Sequence, residues 1–291
     1  MDTIYKRPEV KTALMDLYDA RLEAIGLDEY ETRHVETSVG KTHVILAGNP
    51  EGEPLVILHG IHAGAPMALE AVKDLLPNYR LVAVDTVGQA TRSAETRLSM
   101  KDESYGRWMD EVLDGLDLPM VTVVGVSYGG FILQRLVAYR PDRIKKAIFI
   151  VPMGLVQGAA WRGFTELSIP LIRFMVGKRD KRLRQFLGAF YGELQERDVA
   201  FQRTLLLGVK MDFNRPPLMK LEEAQAYKGP SYLILADDDV FIPWQKAKAR
   251  FEKLFGDVRA LHILKGSKHI PSTSSFSEIS TLLDRWAKED V

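Results

Sequence analysis

Val121-Thr122-Val123-Val124-Gly125-Val126-Ser127-Tyr128-Gly129-Gly130-Phe131-Ile132-Leu133 is the stretch whose reading decides the fold. It opens with a short apolar run of the kind that makes a buried strand. It runs on into Phe131 to Tyr139, an apolar stretch with the look of a helix. Between them stands Gly-x-Ser-x-Gly, residues 125 to 129. Strand, Gly-x-Ser-x-Gly, helix is the context of a nucleophile elbow, in which a serine occupies a strained turn at the end of a sheet. Glycines two before and two after Ser127 let strand and helix pass without side-chain collision, and Gly130 adds room. A serine in a Gly-rich turn can equally be a helix N-cap, so the rest of the chain decides.

Working outward, short buried-strand runs recur at Leu55–Leu58, Leu81–Val84, Val121–Val126, Ala147–Val151, Tyr232–Ala236 and Leu261–Leu264. Helical stretches separate most of them: Pro66–Leu76, Tyr105–Leu116, Ser127–Tyr139, Trp244–Phe255 and Ser275–Lys288. Strands alternating with helices predict an α/β fold with a mostly parallel sheet covered on both faces. Ahead of them, Val10, Leu14, Leu17, Tyr18, Leu22 and Ile25 recur at helical spacing and Gly26 ends the pattern. A hairpin follows, Glu31–Val39 and Thr42–Ala47 around Gly40-Lys41. From Pro152 to Tyr227 no good strand occurs, and the interval is too long for a loop. It reads as a helical cap over the carboxyl edge of the sheet. The expected organisation is a core from 1–151 and 228–291, with a cap from 152–227.

The bulk properties bound the function. A chain of 291 residues can bury an ample core unaided. Its formal net charge is zero, which gives no electrostatic reason to expect nucleic acid or an anionic membrane as partner. It has no cysteine, which excludes disulfides, a thiolate nucleophile and thiolate metal sites. Met1 to Pro8 contains no apolar signal-peptide core, and no apolar run approaches the roughly 20 residues of a membrane span. The expectation is a soluble cytoplasmic protein acting on a small molecule, as a monomer or homodimer.

A serine hydroxyl needs a base within reach, and the chain offers six histidines. His34 and His43 fall in the hairpin and read as surface strand residues; His262 lies in the last strand and reads as structural. His62 follows a strand in a loop and is either pocket lining or incidental. His269 lies in Leu264-Lys265-Gly266-Ser267-Lys268-His269-Ile270-Pro271, between the last strand and the last helix. Loops at the carboxyl edge of a sheet are where ligands are met, so His269 is the candidate base. An orienting carboxylate should follow the preceding strand, where Asp237, Asp238 and Asp239 stand in a row. Asp239 leads, because it runs directly into Val240-Phe241-Ile242-Pro243 and the next helix. The strand before that ends in Val151-Pro152-Met153-Gly154, with no acid. An oxyanion needs backbone N–H donors; the candidates are Tyr128, which begins a helix, and Ile61 in the loop His59-Gly60-Ile61-His62-Ala63-Gly64.

On these motifs the chain resembles the α/β-hydrolase superfamily, over nearly its whole length and closest in look to its capped ester-hydrolase branch. Leu58-His59-Gly60, Asp85-Thr86-Val87-Gly88, the elbow Gly125–Gly130, Asp239–Pro243 and Gly266–His269 carry the resemblance, and Ser, Asp, His follow in the family's chain order. The resemblance implies an eight-stranded, mostly parallel sheet, a helical lid after strand 6 and no cofactor. It implies acyl transfer in which Ser127 attacks, His269 carries the proton, Asp239 orients His269, and the Ile61 and Tyr128 amides hold the oxyanion. In one departure, Asp85 to Ser93 carries an extra residue, and Ala90 replaces a second glycine. A serine rather than an aspartate at 127 argues against the epoxide-hydrolase and haloalkane-dehalogenase branches.

The leading expectation is a serine hydrolase cleaving a small to medium carboxylic ester. Carbon–carbon bond hydrolases, amide hydrolases and cofactor-free peroxidases of the same fold share these motifs. A ligand-binding or receptor protein that retains the triad is the alternative of another class. The basic run Lys178 to Arg184 reads as a solvated helix face, with steering of an anionic substrate as the lesser reading. The cap's aromatic and aliphatic residues suggest an apolar pocket, although most of them must pack the cap helices together.

Overall fold

The computed structural model describes residues 3–158, 160–212 and 214–290. The chain ends at 1–2 and 291, and positions 159 and 213 within the expected cap, lie outside the described residues. The strands are β1 (Tyr30–Thr37), β2 (Gly40–Gly48), β3 (Glu53–Leu58), β4 (Tyr79–Val84), β5 (Val121–Val126), β6 (Ile144–Ile150), β7 (Ser231–Ala236) and β8 (Val258–Leu264). They form an eight-stranded sheet of order β1-β2-β4-β3-β5-β6-β7-β8. β1 and β2 pair antiparallel, β2 pairs antiparallel with β4, and all other pairings are parallel. The central strands are apolar and almost wholly buried, as strands covered on both faces must be.

The helices ahead of the expected cap are α1 (Pro8–Ile25), α2 (Ala65–Ala71), α3 (Ser104–Gly115) and α4 (Tyr128–Tyr139). Between β6 and β7 lie α5 (Ala160–Arg162), a π-helical stretch (Gly163–Ser168), α6 (Ile169–Gly177), α7 (Asp180–Leu187), α8 (Glu196–Gly208) and α9 (Leu221–Gln225). Helices α10 (Trp244–Leu254) and α11 (Phe276–Lys288) complete the chain. The expected Pro66–Leu76 helix is shorter than its apolar pattern, because α2 gives way to a 3-10 turn at Lys73–Leu75.

Helix α1 begins with Pro8, whose fixed φ suits a first turn, and ends where Gly26 adopts φ 70° and donates its N–H to the Glu23 carbonyl. Its face of Val10, Leu14, Tyr18 and Leu22 is buried. Val10 and Leu14 pack with Leu205 and Val209 at the end of α8. On the same helix Arg21 bonds Asp198 of α8 at 2.5 Å and lies 3.2 Å from Glu70 of α2. Helix α1 therefore joins the core to the segment between β6 and β7.

The parallel register brings the loops of the site together. Leu58 at the end of β3 stands beside both Val84 of β4 and Gly125 of β5. The loops beginning at His59, Asp85 and Ser127 thus leave the sheet at one edge. Across the sheet, Ala236 pairs with Leu264, so the loops after β7 and β8 leave together as well.

Candidate active site

Ser127 sits between β5 and α4 with φ 50° and ψ −106°. This left-handed backbone costs a non-glycine residue about 1–3 kcal/mol and persists only where its surroundings hold it. Here the Ser127 amide donates to Ile150 O at 2.9 Å, and its carbonyl accepts from Met153 N at 2.9 Å and Gly130 N at 3.0 Å. The glycines are required by close approach. A Cβ on Gly125 would lie 2.6 Å from Gly129 O, and one on Gly129 would collide with the Leu58 carbonyl. The turn therefore presses α4 onto β3 and projects the serine hydroxyl from the sheet edge.

His269 reaches that hydroxyl. Its Nε2 lies 2.8 Å from Ser127 Oγ, and its Nδ1 lies 2.6 Å from Asp239 Oδ2. An ionised carboxylate only accepts, so Nδ1–H donates to Asp239 and leaves Nε2 free to accept from the serine. The other Asp239 oxygen, Oδ1, accepts from the amides of Phe241 at 2.7 Å and Ile242 at 3.1 Å. The strand-to-helix turn thereby holds the carboxylate. Ser127, Asp239 and His269 are all buried, and Phe241 packs edge-on against the His269 ring at 4.9 Å.

The run of three aspartates separates by partner. Asp237 Oδ1 accepts from Ser267 N at 3.2 Å and steadies the His269 loop, whereas Asp238 pairs with Arg162 of α5 at 3.0 Å. The segment between β6 and β7 also grips this side of the site. Ile270 N donates to Phe190 O at 2.9 Å, Gly192 N donates to Ile270 O at 2.8 Å, and Phe190 packs on Phe241.

The loop after β3 lies over the serine. A Cβ on Gly60 would be 3.5 Å from Ser127 Cβ. Tyr128 is the first residue of α4, so its amide has no intrahelical acceptor, while Ile61 follows Gly60 in the loop. His59 fastens this loop: Thr86 N–H donates to its Nε2 at 3.0 Å, and its Nδ1–H donates to Gly60 O at 2.7 Å. That pairing needs a neutral ring. Burial supplies it, pushing the imidazole below the ordinary histidine value against the opposing charge of Asp85.

At the far end of the loop, Asp85 Oδ1 accepts from Ala65 N at 2.8 Å. Its Oδ2 accepts from Tyr18 Oη at 2.8 Å and His43 Nδ1 at 2.9 Å. Burial alone would raise this carboxyl, but the His43 hydrogen bond, the two nearby histidines and the Ala65 amide outweigh it and hold it below its usual range.

His43 corrects an expectation: it is a buried residue, not a surface one. Strand β2 lies inside the sheet between β1 and β4, and its residue 43 faces Tyr18 and Asp85. Its register partner His34 is exposed, as expected. His262 is a half-exposed strand residue bonded to Glu278 at 2.7 Å. His62 lines a cleft beside the site. Tyr18 and His43 were missed as parts of the site's support, because only the antiparallel β2–β4 pairing and the docking of α1 bring them to Asp85. In the basic run, Arg184 pairs with Glu196 at the surface, but Leu183 among them is fully buried.

The comparison with known families now has a geometry to meet. The model of the alpha/beta hydrolase fold matches residues 53–208, more than half of the chain. The chain belongs to the α/β-hydrolase family. Among curated proteins, this hydrolase is 24% identical over 278 residues to the "Uncharacterized carboxylesterase nap" of Bacillus subtilis (strain 168), covering 91% of this chain and 90% of the relative. It is 23% identical over 254 residues to "Carboxylesterase YbfK" of the same strain, covering 84% and 83%. Among solved structures, the naproxen esterase (carboxylesterase NP) of Bacillus subtilis superposes with a TM-score of 0.82 at 21% identity, covering 97% of this hydrolase and 100% of that chain. No helix among the described residues is long and apolar enough to cross a membrane.

Proposed function

We propose that this α/β hydrolase cleaves small to medium carboxylic esters through an acyl-enzyme intermediate. The contact that carries the proposal is the aligned chain Ser127 Oγ, His269 Nε2, His269 Nδ1, Asp239 Oδ2, with spacings of 2.8 and 2.6 Å. Ser127 attacks the ester carbonyl carbon as His269 Nε2 takes its proton. Asp239 holds the ring in the accepting tautomer and stabilises the imidazolium. The carbonyl oxygen becomes an oxyanion, which the amides of Ile61 and Tyr128 meet. His269 then protonates the leaving alcohol. A water attacks the acyl-enzyme with His269 again as base, and the acid leaves as Ser127 recovers its proton. The printed descriptions of the two Bacillus subtilis relatives as carboxylesterases support the ester bond as the one broken.

We read residues 152–227 as the cap and 1–151 with 228–291 as the core. The helices α5 to α9 between two sheet strands, and the packing of Phe190 on Phe241, support that division. The substrate is a small molecule, and the protein acts in the cytoplasm as a monomer or homodimer, with neither nucleic acid nor a membrane as partner. Zero net charge gives no electrostatic pull towards nucleic acid or an anionic membrane, and the lack of cysteine is compatible with a reducing compartment.

Turnover of p-nitrophenyl esters from acetate to decanoate, by the native chain and Ser127→Ala in parallel, tests the function. Many turnovers per chain that vanish in the variant are expected. Native protein that releases about one equivalent and stalls would instead indicate a receptor.

A further inference from the structure

A narrow cleft, open to solvent, lies beside the site and is bounded by Ile61 and Tyr128. These are the two residues whose amides are proposed to hold the oxyanion, which sets the cleft next to the position proposed for that carbonyl. Met100 and Val209 contribute apolar wall; His62, Arg97 and Asp212 contribute the polar part.

The charges of this cleft cancel without pairing. Arg97 donates to the Lys210 carbonyl, and Asp212 Oδ1 accepts from Asn214 N at 2.9 Å and Nδ2 at 2.8 Å. No ion pair joins Arg97 to Asp212 among the described residues. A substituent of either charge would meet a like charge as well as a counter-charge, and a neutral polar group suffers neither.

His62 is the group placed to meet it. Its backbone is left-handed, with φ 56°, a conformation that is uncommon for a non-glycine residue and needs support. That support comes from both sides: Gln202 Nε2 of α8 donates to His62 O at 3.1 Å, and His62 N donates to Gln89 Oε1 at 3.3 Å. The imidazole itself has no hydrogen-bond partner among the described residues, and it is half-buried in the cleft wall. Burial, reinforced by Arg97 and partly offset by Asp212, pushes it down to about 4. The ring is therefore neutral near pH 7 and offers one donor and one acceptor.

We propose that this cleft is the acyl subsite and that His62 is a specificity-determining residue there, hydrogen-bonding an uncharged oxygen-bearing substituent such as an ether, hydroxyl or amide. The preferred substrate is then an ester whose acyl chain carries such an oxygen, rather than a plain alkanoate. This rests on the esterase reading given above.

The test is a set of p-nitrophenyl alkanoates paired with isosteres in which an ether oxygen replaces the third, fourth or fifth chain atom. Each ratio of kcat/KM is divided by the ratio of alkaline hydrolysis rates, which removes intrinsic reactivity. For one oxygen position the native enzyme should favour the ether by about three- to tenfold, the worth of one neutral hydrogen bond. His62→Asn, which tolerates the left-handed backbone but has a shorter side chain, should remove that excess. A preference for carbon at every position, or an excess that survives His62→Asn, overturns the proposal. If no ester at all is turned over, the esterase reading fails. The corresponding trifluoromethyl ketones, with affinities measured by calorimetry, then decide the cleft separately. Tighter binding of an ether member supports it, and equal or weaker binding of all of them overturns it.

Discussion

Asp85 Oδ1 accepts a hydrogen bond from the Ala65 amide at 2.8 Å, tying the end of β4 to the first residue of α2. The same carboxylate holds Tyr18 of α1 and His43 of β2. One buried anion thus fixes the exit of the loop after β3, while His59 fixes its entrance. Removing it as Asp85→Ala leaves a buried hydroxyl, an imidazole and an amide without their acceptor. We expect destabilisation of about 3–5 kcal/mol, the range for breaking a buried charged cluster, measured by urea unfolding. Tyr18→Phe, which removes only one donor, should cost about 1 kcal/mol.

Among the three neighbouring aspartates, only Asp239 touches His269. Asp239→Asn should lower kcat by about 10⁴-fold, the loss known when an orienting carboxylate becomes an amide. Asp238→Asn, which loses a surface pair with Arg162, should leave the rate within twofold or so, as expected for an exposed ion pair. Steady-state kinetics on one p-nitrophenyl ester checks both. A severe loss in Asp238→Asn with retention in Asp239→Asn would overturn the assignment.

Two glycines should respond differently to a single methyl group. Gly129→Ala drives a Cβ into the Leu58 carbonyl, which is backbone and cannot move aside cheaply. The expected result is loss of the folded protein, seen as insoluble expression or a collapsed melting temperature. Gly60→Ala meets Ser127 Cβ only at an ordinary contact distance of 3.5 Å, with Oγ at 4.0 Å. It should fold with a near-native melting temperature yet lose activity, because the methyl group occupies the space above the serine.

Acid should weaken the fold well before carboxylates titrate. His59 and His62 both have their values lowered from 6.5, chiefly by burial, and His62 falls to about 4. The native state therefore binds fewer protons than the unfolded chain as pH falls below 6.5. Stability must decline in that direction, being full above 6.5 and progressively lost towards about 4. Asp85, held below its usual range, contributes to acid lability only at lower pH. Urea midpoints between pH 8 and pH 4.5 should show a plateau followed by a fall, and a flat profile across that window would contradict the reading.

The linear chain was enough to determine the elbow, the alternation of strands and helices, and the order serine, aspartate, histidine, because each rests on local chemistry. Apolar runs of strand length, glycines around one serine, and loops following strands are properties of neighbours in sequence. Among Asp237, Asp238 and Asp239, the sequence favours the one that runs directly into α10, and that residue is the one found 2.6 Å from His269.

Tertiary structure alone decided what non-local pairing controls. His43 reads as a surface hairpin residue until β2 is placed beside β4, which buries it against Asp85. Tyr18 reads as one more apolar position on α1 until its hydroxyl meets that carboxylate 67 residues away. Nothing in the run from Lys178 to Arg184 shows that Leu183 is buried while the charges around it lie at the surface. His62 reads as an ordinary loop histidine until Gln89 and Gln202 are seen holding its backbone from opposite sides. A residue's burial and partners depend on segments distant in the chain, and local sequence does not carry that information.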